Sequence, residues 1–132
     1  MASREAWFTA HRGSRRPIWV AERADASDHG VIGYLAFGYF MNERPGYYIT
    51  ADLAVYLHPD AQGKGLGSYL LDEAIRHAPT LGIEVLAVTI FGSNATSLRL
   101  FRSRGFEQWG FMPRVARLGT TEHDLIMMGR RI

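Results

Sequence analysis

The stretch Gln62-Gly63-Lys64-Gly65-Leu66-Gly67 sets three glycines and the chain's single lysine between an apolar run and a helical pattern. Glycine weakens a helix interior by about 1 kcal/mol against alanine, so glycines at a helix start need another reason. The first turn of a helix carries unpaired backbone N–H groups and a positive dipole end of about half a charge. Residues without Cβ let a bulky anion come close to that backbone. The chemistry open to these residues is the holding of a pyrophosphate. A Walker A loop does not fit, because Gly63-Lys64 is followed by Gly65 rather than Ser or Thr. The dinucleotide fingerprint does not fit, because Gly67 comes one residue early.

Asp52 is the second residue with chemistry to offer. It lies inside the apolar run YYITADLAVYL, and a carboxylate there is unusual. Beside a cleft, desolvation raises such a group toward the range of a general base. The alternative is an aspartate tied to neighbouring backbone or to an arginine. Alternation puts Asp52, Ala54 and Tyr56 on one face of a strand and Leu53, Val55 and Leu57 on the other.

The elements that must position these residues follow from pattern. With Ser3 as N-cap, REAWFTAH reads as a short helix. A short strand is expected at Ile18 to Glu22, a turn at Asp25 to Gly30, and a strand at Val31 to Phe40 loosened by Gly33 and Gly38. The long strand ends near Leu57. A helix runs from about Gly67 to Ala78, stopped by Pro79 and Gly82. Ile83 to Ile90 is apolar without alternation, as a strand covered on both faces would be. ATSLRLFRSR reads as a helix capped by Ser93 or Asn94 and closed by Gly105. FEQWGFM and TEHDLIMMG look like two last strands. Strands first, then strand, helix, strand, helix and strand, indicate a mixed α/β sheet.

The chain has 132 residues, 47% hydrophobic and 12% aromatic, which predicts one domain spanning 1–132 with an ordinary core. Cysteine is absent, which excludes disulfides, zinc thiolate sites and a cysteine nucleophile, and is compatible with a cytoplasmic home. No apolar run approaches the roughly 20 residues that span a bilayer. The net charge is only +2. Arginines cluster at 12, 15 and 16, at 99, 102 and 104, and at 130 and 131, but no stripe of stacking aromatics accompanies them. A solvated arginine-rich surface is the plainer reading than a nucleic-acid footprint. No metal-ligand spacing and no Ser-His-Asp set can be argued. His123 and Asp124 are adjacent, and adjacent strand residues point to opposite faces.

The pattern Gln-x-x-Gly-x-Gly from Gln62 to Gly67 has VYLHPD before it and an amphipathic helix after it. It resembles the acetyl-CoA loop of the GNAT (Gcn5-related) N-acetyltransferases. NATSLRLFRSRGFEQWG is similar to a second signature of that family. SREAWF, the run from Glu43 to Asp52, VYLHPD and His123-Asp124 look like its phosphinothricin/methionine-sulfone acetyltransferase branch. The resemblance implies a GNAT-type mixed, mostly antiparallel sheet with flanking helices, here without the family's usual first strand and helix. It implies acetyl-CoA as donor, no metal, a small primary amine as acceptor, and commonly a homodimer.

Carried over residue by residue, the resemblance gives Gln62, Gly63, Lys64, Gly65, Leu66 and Gly67 to the pyrophosphate, and Asn94 to the pantetheine arm. Asn94 as a plain helix N-cap is compatible with that role. Asp52 stands where the branch has its glutamate and would act on the amine, through water because its side chain is one methylene shorter. A backbone N–H among Val55, Tyr56 and Leu57 would hold the oxyanion. The branch often has arginines at the positions of Asn42 and Tyr48 to hold an acceptor carboxylate; here only Arg44 remains, and Tyr48 is the other acceptor-side residue. The usual general-acid position is Phe101, which has no proton to give, so Tyr56 and Tyr48 are the substitutes at hand. The expected activity is direct acetyl transfer to a small amino-acid-like amine, with a catalytically silent acyl-CoA-binding module as the rival.

Overall fold

The computed structural model describes residues 6–7, 15–22 and 30–132. A seven-stranded sheet forms in the order β1-β2-β3-β4-β5-β7-β6. Its strands are β1 (Ala6–Trp7), β2 (Ile18–Glu22), β3 (Val31–Tyr39), β4 (Thr50–Leu57), β5 (Val85–Phe91), β6 (Glu107–Leu118) and β7 (Thr121–Arg131). Helix α1 (Leu66–His77) joins β4 to β5, and α2 (Ala95–Ser103) joins β5 to β6. All neighbours are antiparallel except β4 and β5, which a helix must connect because a hairpin cannot join parallel strands. The expected mixed, mostly antiparallel sheet with helices is what forms.

The N-terminal reading changes. Ala6 and Trp7, expected in a helix, pair with Ala21 and Val20 of β2. The free edge of β2 offers backbone partners that outweigh a weak local helix preference. The rest of that segment, and the expected turn from Asp25 except for Gly30, lie outside the described residues. The long strand starts later than its apolar run, at Thr50, because Pro45 opens a 3-10 turn over Pro45–Tyr47.

Both helices pack their apolar stripes on the sheet. Leu66, Leu70, Leu71 and Ala74 of α1 and Leu98 and Phe101 of α2 join Leu35, Leu53, Leu86 and Met128 in one core cluster. Arg104, just after α2, donates to both carboxylate oxygens of Asp72 on α1 at 2.9 and 3.0 Å. That fork ties the two helices together.

Candidate active site

The parallel ladder between β4 and β5 is short. It runs from Thr50↔Val85 to Leu53↔Val88 and stops. Beyond it β4 stays paired with β3 as far as Leu57, and β5 stays paired with β7 as far as Phe91. The sheet therefore splits into a wedge between residues 54–57 and 89–91.

The register shows which amides look into that wedge. The His58 N–H donates to the Ile32 carbonyl at 2.8 Å, so His58 faces β3. Alternation turns Tyr56 and Ala54 the same way and turns Val55 and Leu57 toward the wedge. The Leu57 carbonyl confirms the direction, since it accepts from the Gln62 side-chain nitrogen at 3.3 Å rather than from β3. Of the three backbone groups proposed for the oxyanion, the N–H groups of Val55 and Leu57 are placed to serve, and that of Tyr56 is not.

Two cavities fill the wedge. One of about 420 Å³ is lined by Asp52, Leu53 and Val55 of β4, by Val88, Thr89 and Phe91 of β5, and by Asn94, Ser97 and Phe101. The other, about 350 Å³, is lined by Val55, Tyr56 and Leu57, by Gln62 and Gly63, and by Asn94, Thr96 and Phe101. Val55, Asn94, Ser97 and Phe101 border both, so the cavities lie side by side from the glycine loop to Asp52.

Asp52 is half-buried, and burial alone raises its pKa above the ordinary carboxylate value. Among the described residues no other titratable side chain lines its cavity. A half-buried base whose pKa is raised by desolvation is poised to accept a proton.

The three glycines divide into two kinds. Gly63 and Gly65 have φ of 76° and 84°, and a Cβ on either would meet nothing within 4 Å. Gly65 is the N-cap of α1 and brings no side chain to the amides behind it, and no acid stands in the first turn. This is open space in front of a helix start, whose first N–H groups have no intrahelical partner, as an anion requires. Gly67 is buried instead, and a Cβ there would stand 3.2 Å from Leu57 and 3.4 Å from Leu100. It lets α1 lie close to β4 and α2, and, as in any first helical turn, its backbone N–H stays available to a ligand. Leu66 is likewise a core residue, and only its backbone can face a ligand. Lys64 is exposed beside the loop.

Asn94 caps α2, its side-chain oxygen accepting from the Ser97 N–H at 3.1 Å, and it borders both cavities, so its two expected roles coexist. Phe101 is buried, meets Phe106 edge-on at 5.0 Å, and walls both cavities with carbon alone. Tyr56 stacks on Tyr34 across the β3–β4 pair at 5.6 Å and is the one phenol lining the wedge among the described residues. Arg44 and Tyr48 line neither cavity. Tyr48 packs on Tyr39 at 5.6 Å, and Arg44 is exposed on the loop before β4. His58 accepts from the Asp60 N–H and is a turn residue. His123 stacks on Phe91 and meets Ser93, while Asp124 accepts from the Arg114 N–H, so the pair is parted as alternation requires. Thr89, Phe91 and Thr96 reach the wedge without any signal in their types.

This arrangement can be set beside known proteins. A model of the acetyltransferase (GNAT) family matches residues 1–106. The Bacillus subtilis (strain 168) protein YwnH, provisionally named a phosphinothricin acetyltransferase, is 42% identical over 126 residues, which cover 96% of this chain and 74% of that protein. The L-methionine sulfoximine/L-methionine sulfone acetyltransferase of Pseudomonas paraeruginosa is 40% identical over 130 residues, covering 97% of this chain and 72% of that one. A phosphinothricin acetyltransferase from Sinorhizobium meliloti, solved in complex with acetyl-CoA, superposes with a TM-score of 0.80 at 31% identity, over 92% of this chain and 63% of the other. On these matches and on its wedge and glycine loop, the chain belongs to the GNAT family of acetyltransferases.

Proposed function

We propose that this N-acetyltransferase moves the acetyl group of acetyl-CoA directly to the primary amine of a small amino-acid-like molecule. The observation that carries the reading is the wedge, which joins the open glycine loop at one end to a half-buried, unpaired-with-cation carboxylate at the other. Relatives named for acetyl transfer, one of them solved with acetyl-CoA, favour this over a silent acyl-CoA-binding module.

When bound, acetyl-CoA supplies an activated thioester carbonyl. The amides behind Gly63 and Gly65 hold the pyrophosphate, with Lys64 adding charge. Asp52 takes a proton from the ammonium through a water, leaving a neutral amine to attack. The N–H groups of Val55 and Leu57 face the carbonyl oxygen as it gains charge, a contribution of about 3 kcal/mol per donor in comparable sites. The C–N bond forms and the C–S bond breaks; the thiolate takes a proton from the Tyr56 hydroxyl or from water, and the surplus proton on the attacking nitrogen replaces the one so given up. Arg44 and Tyr48, on the segment leading into β4, are the acceptor-side groups in this reading.

A homodimer and a cytoplasmic setting belong to the same proposal. Exposed Trp109, Phe111 and Val115 on the edge strand β6 are apolar surface that a second copy would cover. Among the described residues no helix is long and apolar enough to cross a membrane. Arginine pairs such as Arg76–Glu73, Arg104–Asp72 and Arg117–Glu122 support a solvated surface over a nucleic-acid footprint.

The test is thiol release from acetyl-CoA against a panel of amino acids and amino-acid analogues, with Asp52→Ala alongside. The wild type should turn over at least one amine, and Asp52→Ala should lose 100-fold or more in kcat/KM. A wild type silent on every amine would overturn the activity.

A further inference from the structure

Arg16 is the one buried charged side chain recorded in the described core, with 7% of its surface exposed. It precedes β2 and reaches across the sheet. Its Nε donates to the Gly38 carbonyl at 3.2 Å, and its Nη2 donates to the carbonyls of Tyr48 at 3.1 Å and Thr50 at 3.3 Å. Its Nη1 turns back to the Arg15 carbonyl at 2.9 Å. The guanidinium also lies over the Tyr39 ring, 4.4 Å from its centre.

These partners are not scattered. Gly38 is the β3 residue opposite Asp52, and Thr50 is the β4 residue two before it on the same face. Tyr48 ends the segment that carries Arg44 toward β4. A planar fork of five N–H donors can hold three backbone segments at fixed angles, which an ammonium cannot do. Burying a guanidinium is costly, and an apolar side chain would fill the same volume at lower cost. What the arginine adds is the alignment of Gly38, Tyr48 and Thr50 around Asp52.

We propose that Arg16 is a positioning residue for acetyl transfer, fixing the backbone on both sides of Asp52 and the acceptor loop that leads into it. The inference rests on the reading of Asp52 as the base. It acts through geometry, because burial and no neighbouring charge accounts for the state of Asp52. Among the described residues, Tyr39, Tyr48, Arg15 and Glu43 act on the Arg16 charge, and none of these four lines the cavity of Asp52.

The experiment compares Arg16→Lys and Arg16→Met with wild type in two measurements. One is acetyl-CoA affinity by calorimetry, which reads the distant donor end and reports folding. The other is the pH profile of kcat and kcat/KM on the best amine. The expected result is donor affinity within about twofold of wild type and a tenfold or greater fall in kcat/KM. The acid limb should move down toward the ordinary carboxylate range, with Lys rescuing little. If Arg16→Met fails to fold, Arg16→Lys and Tyr39→Leu, which removes the ring under the guanidinium, carry the same readouts. An unchanged rate and acid limb, or full rescue by Lys, overturns the inference. Asp52→Asn runs in parallel. Loss of rate there with unchanged Arg16 variants removes this inference alone. A wild-type rate there removes the base reading and this inference with it.

Discussion

Leu53 and Val88 form the last pair between β4 and β5, and Asp52 stands immediately before the point where the strands part. A strand residue at a split keeps one side against its neighbours and gains an opening on the other. That is why Asp52 is half-buried yet faces a cavity, and why its pKa rises for want of solvent rather than through a charged neighbour.

The sign of that shift makes a stability prediction. A carboxyl raised in the fold costs nothing below 3.8, where it is protonated folded or unfolded. As pH climbs through the raised folded value, the native state must hold a charge that burial disfavours. Asp52→Asn should therefore melt higher than wild type at pH 8 and equally at pH 3, while losing 100-fold or more in kcat/KM. Differential scanning calorimetry at the two pH values decides it, and equal melting at both would refute the desolvation account.

The two kinds of glycine should respond differently. Gly65→Ala forces a side chain into left-handed backbone, costing about 1 kcal/mol, and puts a methyl in the open space before α1. Acetyl-CoA affinity should fall tenfold or more. Gly67→Ala gains about 1 kcal/mol of helix propensity but presses on Leu57 and Leu100. Its stability should change by less than about 1 kcal/mol and its donor affinity by less than twofold. Urea unfolding and calorimetric titration measure both.

Phe101→Tyr places a hydroxyl on the wall shared by both cavities. If thiolate protonation limits the present enzyme, kcat should rise tenfold or more, within the range of general acid catalysis. In the same assay Tyr56→Phe should lower kcat severalfold in the native background and leave Phe101→Tyr unaffected. Stopped-flow thiol release resolves these differences, and a Phe101→Tyr rate no faster than wild type would show another step to be limiting.

The Arg104–Asp72 fork predicts an acid-dependent loss. Arg104 holds the Asp72 carboxyl below its ordinary value of 3.8. The pair's contribution is then present above that value and lost as pH falls through the lower folded one. Because both side chains are partly exposed, Arg104→Ala should cost up to about 1 kcal/mol at neutral pH. In urea titrations the gap between variant and wild type should close below the folded value of Asp72, and a gap that persists there would assign the loss to packing instead.

Much of the molecule was legible in residue order. Alternation placed Asp52, Ala54 and Tyr56 on one face, and the apolar run without alternation marked β5 as covered on both sides. Asn94 and the glycines marked their helix starts because capping is chemistry between near neighbours. Ala6 and Trp7 carry a helical pattern yet pair as a strand, because strand pairing depends on which edge lies nearby, and no local pattern contains that.

Residue order by itself determined the local devices: a bare helix start, a capped second helix, an aspartate in an apolar strand and a phenylalanine where a proton donor would stand. Each is set by side-chain type and spacing of a few residues. Only the tertiary structure decided what lies between them. The split after Leu53 and Val88, the turning of Val55 and Leu57 into it, the packing role of Gly67 and the reach of Arg16 to Gly38 and Thr50 all depend on long-range register. Register is fixed by how the buried faces fit together across the sheet, a property of strand pairs rather than of any single stretch of chain.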